Sequence, residues 1–423
     1  MGFLLLGLLC IYGIFLWATR CNYLVSIICT LLINTSGNLN YYGVATLSDI
    51  HALGLSCAGI FLFTKWIEKK QHKYLIWCAA LYTLAVLLKA SSAFSYIICV
   101  AAFFFIQVSS IRNEKKSIKG LLIGLFIFVI PFTFWYAWYS HADAYNSQHP
   151  NSFFLIGILP IWGCDTNAER VDILRSLISD KIHEMYHPFI LIGLLFLVIT
   201  FTISFIKKHP LLIAVMWLSL LSFVSFILLF YAVFSEHDYY LINMTSLVVI
   251  IITVLLRIIS NNYPTHTTPY PVKIFMFTAL SLFTFVASVK IWARISYKSE
   301  TVNSALVFDV EKNRYYGWNE WFDKTRFKII EDKQFKLEKF GIMPYDTILC
   351  LGDMSINRSL YLLQRVGYTS YNTSIDDAPA FIKQHNLKWL IVIEPDWKYK
   401  DFMKPFYQDK LFDNESTSIY KLR

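Results

Sequence analysis

The sequence of 423 residues is 56% hydrophobic, holds 35 Phe and 26 Tyr, and carries a formal charge of +9. That apolar excess excludes an ordinary soluble domain and places the chain in the polytopic membrane class. Its Lys and Arg cluster in short loops between apolar runs, a pattern of membrane orientation and not of nucleic-acid binding.

The first run, Met1 to Trp17, lacks a basic leader, and Arg20-Cys21-Asn22 is a poor small-residue cleavage site, so it reads as a span and not as a signal peptide. Apolar runs at roughly 2–18, 22–34, 50–66, 75–88, 90–106, 118–139, 187–206, 211–233, 240–259 and 273–291 give a helical bundle of about ten spans. Cys10, Cys21, Cys29, Cys57, Cys78 and Cys99 lie in or beside these runs, where Cys behaves as a small hydrophobe. Cys164 and Cys350 fall in polar segments, and no CxxC or Cys/His metal spacing is present. Basic loops at Lys65–Lys73, Arg112–Lys119, Lys207–Lys208 and Arg257–Lys273 share one parity, which assigns that side to the cytoplasm. Segments 35–49, 140–186 and 234–239, with the tail after about 292, then face outside.

Several polar residues fall on that outer face. Asp49, in Leu47-Ser48-Asp49, heads the third span, where a carboxylate complements the helix dipole. Tyr74 to Ile106 is too long for one span, about 50 Å as a single helix, so it reads as two short spans turning at Lys89-Ala90-Ser91-Ser92. Lys89 is then an isolated outer cation, either snorkelling from a helix end or fixed to meet an anionic group at headgroup depth. In the loop 140–186, Val171, Leu174, Leu177, Ile178, Ile182 and Met185 recur at helical spacing. They predict an amphipathic helix over the membrane or over a cavity mouth, as a lid or as a simple cover. Phe234-Ser235-Glu236-His237-Asp238-Tyr239-Tyr240 forms a tight hairpin between two spans. It is either a polar turn anchored by its tyrosines or a functional site, because charge held at that depth is costly.

The bundle thus occupies 1–291, and 292–423 reads as a soluble extracytoplasmic α/β domain. Residues near 315–340 are expected to be helical, with further helices near 357–366 and 377–385. Strands are expected at Asp346–Leu351, Trp389–Ile393 and Ser418–Tyr420, in a partly parallel sheet. Gly352-Asp353 lies beyond the carboxyl end of the first strand, where such sheets bind ligands.

Taken together, His237-Asp238-Tyr239-Tyr240, the Leu88-Lys89 tip, Leu47-Ser48-Asp49 and Gly352-Asp353-Met354-Ser355 resemble one family. It is the bacterial branch of the protein O-mannosyltransferases, the family-39-type and aminoarabinose-transferase-like glycosyltransferases of the GT-C class. The resemblance implies a multi-helix bundle with an extracytoplasmic domain in the bacterial plasma membrane. It also implies a sugar donor carried on a polyprenyl phosphate and transfer to a lipid, glycan or protein acceptor at the outer face. On that pattern Lys89 meets the donor phosphate, and Asp49, His237 and Asp238 are the catalytic candidates. Tyr239 and Tyr240 bind sugar or acceptor, and His237-Asp238 are placed to hold a divalent cation. The family also carries a further span and an acidic loop with its presumed base, which would precede Met1. The expectation for residues 1–423 alone is therefore little or no activity. A non-catalytic assembly subunit is the alternative. A lipid or solute transporter fits less well, since neither inverted repeats nor broken mid-membrane helices stand out.

Overall fold

The computed structural model describes residues 2–43, 47–114, 118–148, 158–235, 239–263, 270–295, 312, 327, 329–332, 335–354, 358–394, 407–414 and 416–422. The chain forms two compact units, residues 1–148 with 154–295, and residues 149–153 with 296–423.

In the first unit each of the ten apolar runs is a helix. They are α1 (Gly2–Ala18), α2 (Tyr23–Ile33), α4 (Ser48–Lys69), α5 (His72–Leu88), α6 (Ala93–Glu114), α7 (Lys119–Gln148), α10 (Pro188–Phe205), α11 (Pro210–Leu229), α12 (Thr245–Asn262) and α13 (Tyr270–Ile295). Three short helices join them: α3 (Gly37–Tyr42), α8 (Asn167–Ser176) and α9 (Ile182–Met185). Among the described residues, six helical segments are long and apolar enough to cross a membrane, and they mark an integral membrane protein. Gly2–Ala18, Tyr23–Ile33, His72–Leu88 and Leu280–Val289 are apolar but shorter, 10–17 residues.

Close packing fixes the bundle around α12, which is buried on nearly every face. α1 lies against α4, and the contact needs Gly54, since a Cβ there would run into the Phe3 carbonyl. Small residues serve helix association in a membrane this way because lipid gives no hydrophobic drive between helices. Hydroxyls add polar ties. Tyr82 Oη donates to Ser95 Oγ at 3.1 Å across the α5–α6 hairpin, and Tyr96 Oη donates to the Phe128 carbonyl of α7 at 2.9 Å.

Two expectations for the segment 140–186 change. Its start is helical, because α7 continues through Gln148 with Pro131 inside it. The amphipathic helix exists, but as α8, a π turn over Leu177–Lys181, and α9. Its buried side is Ile173, Leu177 and Met185, while Val171, Leu174 and Ile178 are exposed. Ile173 and Leu177 lie four apart, and the wider π turn then shifts the next buried position, which a uniform 3.6-residue period misses.

The second unit is a five-stranded sheet, β1 (Thr347–Leu351), β2 (Val366–Thr369), β3 (Trp389–Val392), β4 (Tyr407–Asp413) and β5 (Ser418–Leu422), in the order β2-β1-β3-β5-β4. β1 runs parallel to β2 and β3, and β5 is antiparallel to both β3 and β4. Side chains alternate across it. Ile348 and Cys350 pack with Leu360 and Leu363 of α14 (Arg358–Leu363) on one face, and Leu349 and Leu351 with Phe381 and Ile382 of α15 (Ala378–Gln384) on the other. Burial pushes the Cys350 thiol up to about 12. Of the helix expected over 315–340, residues 313–326 lie outside the described residues and Leu337–Phe340 is a single 3-10 turn. Asp353, expected to mark a ligand position, is buried, and its Oδ2 accepts from the Ser359 N–H of α14 at 2.7 Å. That contact is a helix-start bond of the kind a carboxylate makes to early helix N–H groups.

Candidate functional site

Three chain segments meet at one end of the bundle: the first turn of α4, the turn after α5, and the 3-10 turn Tyr239–Met244 that leads into α12. α5 stops at Lys89 because the residue leaves helical geometry, at φ −155° and ψ 112°, before the 3-10 turn Ala90–Ser92. That break aims Lys89 at α4. Its Nζ lies 3.3 Å from Asp49 Oδ1, with side-chain exposures of 18% and 2%. Lys89 is therefore a paired cation and not the isolated one expected from the sequence. The two residues stand at the adjoining ends of the consecutive helices α4 and α5, and no local motif in the sequence marks the contact.

Aromatic rings cover the ammonium. Nζ sits 3.8 Å from the Tyr240 ring centroid and 5.3 Å from that of Tyr239, a cation–π arrangement that gains strength away from water. The two rings stack on each other at 5.1 Å and 28°, and Tyr42 of α3 meets Tyr239 edge-on at 5.8 Å. Four of the six residues named from the sequence, Asp49, Lys89, Tyr239 and Tyr240, thus form one cluster. His237 and Asp238 lie outside the described residues.

Four further residues were not named as site residues from the sequence. Asn243, 1% exposed, donates from Nδ2 to Asp49 Oδ1 at 3.2 Å, and its own Oδ1 has no partner among the described residues. Ser91 and Ser92 follow Lys89 directly, are buried, and have hydroxyls without partners among the described residues. Glu184 is a buried carboxylate at the end of α9. A Cβ on Gly37, at the start of α3, would come within 3.5 Å of its Oε2. Asn243 sits inside an apolar run with no motif around it, and the serines read as turn residues. Only the polar interruption of apolar sequence could have flagged them.

The cluster offers an ammonium held in place by a carboxylate, buried hydroxyls without partners, and two stacked phenol rings. An anionic oxygen group entering here would find a cation and O–H donors in a poorly hydrated setting, where charge-assisted contacts are strong. Among the described residues no three His, Cys, Asp or Glu side chains are grouped to hold a metal ion.

Residues 1–135, which contain Asp49 and Lys89, match the family model for dolichyl-phosphate-mannose-protein mannosyltransferase. That match and the motifs in this part point to one class, a GT-C membrane glycosyltransferase. The chain is also similar to two solved structures of ArnT from Cupriavidus metallidurans. The apo state gives a TM-score of 0.49 at 10% identity, over 99% of this chain and 82% of that one. The form bound to undecaprenyl phosphate gives 0.48 at 11% identity, over 98% and 82%. No curated protein matches the chain.

Proposed function

We propose that this chain is a glycosyltransferase that takes a sugar from a polyprenyl-phosphate carrier and passes it to a lipid, glycan or protein hydroxyl at the outer face of the plasma membrane. The observation that carries the reading is the Lys89–Asp49 pair under the Tyr239–Tyr240 stack, beside the unpartnered Ser91 and Ser92 hydroxyls. The mannosyltransferase family match over the segment that supplies Lys89 and Asp49 supports it.

In the reaction the bond between the anomeric carbon and the phosphate oxygen breaks, the acceptor oxygen bonds to that carbon, and the acceptor's proton moves to a base. The phosphate leaves with its charge, so the main demand on the protein is to balance that charge. Lys89 supplies the balance, with Ser91 and Ser92 as O–H donors to the phosphate oxygens. Asp49 holds the ammonium in register, and as a carboxylate it is also the candidate to receive the acceptor's proton. Both of its side-chain contacts described above fall on Oδ1. Tyr239 and Tyr240 offer ring faces to a sugar. His237 and Asp238 would orient sugar or acceptor from the adjoining turn.

The test is direct binding of polyprenyl phosphate to the purified full chain, followed by release of carrier from a polyprenyl-phosphate sugar. Binding should weaken in Lys89→Ala and in a Ser91→Ala/Ser92→Ala double variant, at unchanged abundance in the membrane. Unaltered binding in all of them would sink the reading. Binding that is retained with no transfer to any acceptor class would favour the non-catalytic subunit.

A further inference from the structure

Away from Asp49 and Lys89, the bundle contains an apolar cavity, open at one side, between α4, α6, α11 and α12. Phe63, Ala102, Leu212 and Val254 contribute to its wall, whose accessible surface is apolar. The α4 residues that line it, Ile60 to Ile67, lie 11 to 18 positions beyond Asp49, about 16–27 Å along the helix axis. The cavity therefore belongs to the opposite end of the bundle. Water gains nothing there, because a site of this kind offers it no hydrogen bonds.

Arg257 stands at the rim. Its Nη1 donates to the Trp17 carbonyl at 3.2 Å, and its Cζ lies 4.8 Å from the Trp17 ring centroid. The side chain is thereby fixed, and among the described residues its other N–H groups make no hydrogen bond to a carboxylate. Nearby Arg20 donates to Asn261 Oδ1 at 2.9 Å. Glu68, near the same end of α4, is bridged to Lys65 at 3.2 Å. Among the described residues no carboxylate forms an ion pair with either arginine.

We propose that this cavity holds one acyl chain of an anionic phospholipid, with the lipid phosphate on the Arg257 guanidinium. The apolar wall suits a hydrocarbon tail, and a planar guanidinium at headgroup depth suits phosphate oxygens. The inference does not rest on the catalytic reading, which puts the carrier's phosphate at Lys89.

The experiment uses the full chain in phosphatidylcholine nanodiscs that contain a little phosphatidylglycerol with a mid-chain diazirine. After photolysis, adducts are mapped by peptide mass spectrometry. They should concentrate on the peptides holding Phe63, Ala102, Leu212 and Val254. Arg257→Gln should cut them by about tenfold, the scale of one charge-assisted contact, whereas Arg257→Lys should keep part of them, because the charge stays while the planar fork is lost. Ala102→Phe should abolish them by filling the space. If that variant does not fold, the two Arg257 variants decide the matter. Adducts spread evenly over lipid-facing helices such as α10, or undiminished in Arg257→Gln, would overturn the proposal. So would stronger labelling of the cavity by a diazirine polyprenyl phosphate than by the phosphatidylglycerol.

Discussion

Asp49, the proposed base, is costly to bury, because a carboxylate at 1% exposure needs its partners. Lys89→Ala removes both the counter-charge and the proposed phosphate contact, so donor binding should fall about ten- to hundred-fold. Lys89→Arg should restore part of it, since the charge stays while the geometry changes. Thermal stability in detergent gives an independent check. Lys89→Ala should lose more than the double variant Lys89→Ala/Asp49→Ala, because the double variant leaves no buried carboxylate uncompensated. Equal losses would mean that the pair is incidental. Asn243→Leu has a narrower effect: it should lower stability by about 1–3 kcal/mol through a lost hydrogen bond to a buried acceptor. It should slow transfer more than it weakens donor binding, since Lys89 remains. Asp49 and Lys89 were legible in the sequence because each interrupts apolar chain on one face. Their pairing was not, since it depends on how α4 packs against α5, and Asn243 gave no signal until the 3-10 turn before α12 placed it beside Asp49.

At the scale of elements, hydrophobic runs sufficed where a helix is apolar on most sides, and they failed where the backbone departs from a regular period. The π turn at Leu177–Lys181 is one such place. β2 and β4 are others. Val366–Thr369 is four residues of mixed polarity directly after a helix, and Tyr407–Asp413 is interrupted by charge. Both lie at the edges of the sheet, where one side lacks a strand and the apolar pattern weakens. Next to this sheet, Arg365 is nearly buried and donates from Nη2 to Glu338 Oε1 at 2.6 Å and to the Ile342 carbonyl at 2.9 Å. The hydrogen bond from Arg365 holds the Glu338 carboxyl below the ordinary glutamate range. A carboxyl depressed in the folded state adds stability above its unfolded value and loses it as pH falls through the folded value. Acid melts of the full chain should therefore show the second unit weakening below the ordinary glutamate range, with Glu338→Gln flattening that slope. Glu338 is exposed enough that the effect should be small. An identical acid profile in the variant would remove the linkage.

For the whole molecule, the orientation in the membrane decides whether the proposed chemistry is feasible, and the fold sharpens the sequence argument. α4 runs from Asp49 to Lys69, α5 returns from Lys73 to Lys89, α6 leaves again to Arg112, and α12 runs from the Tyr239–Met244 turn to Arg257. The basic residues of these helices thus share the end opposite the site. Lys89 was the one exception to that pattern, and its charge is matched locally by Asp49. Excess Lys and Arg favour the cytoplasmic side, so the site should open to the outside. Cysteine labelling with an impermeant reagent should then find positions near Lys69, Arg112, Lys207 and Asn261 protected in intact cells. Positions near Asn40, Gln148 and Gly352 should react. The last of these matters most, because it reports on the second unit independently of the bundle. A protected Gly352 region with a reactive Asn40 region would put the C-terminal unit on the face away from Lys89. It could not then contribute to transfer from a carrier whose phosphate sits at that lysine, and the proposed outer-face enzyme would have to be abandoned.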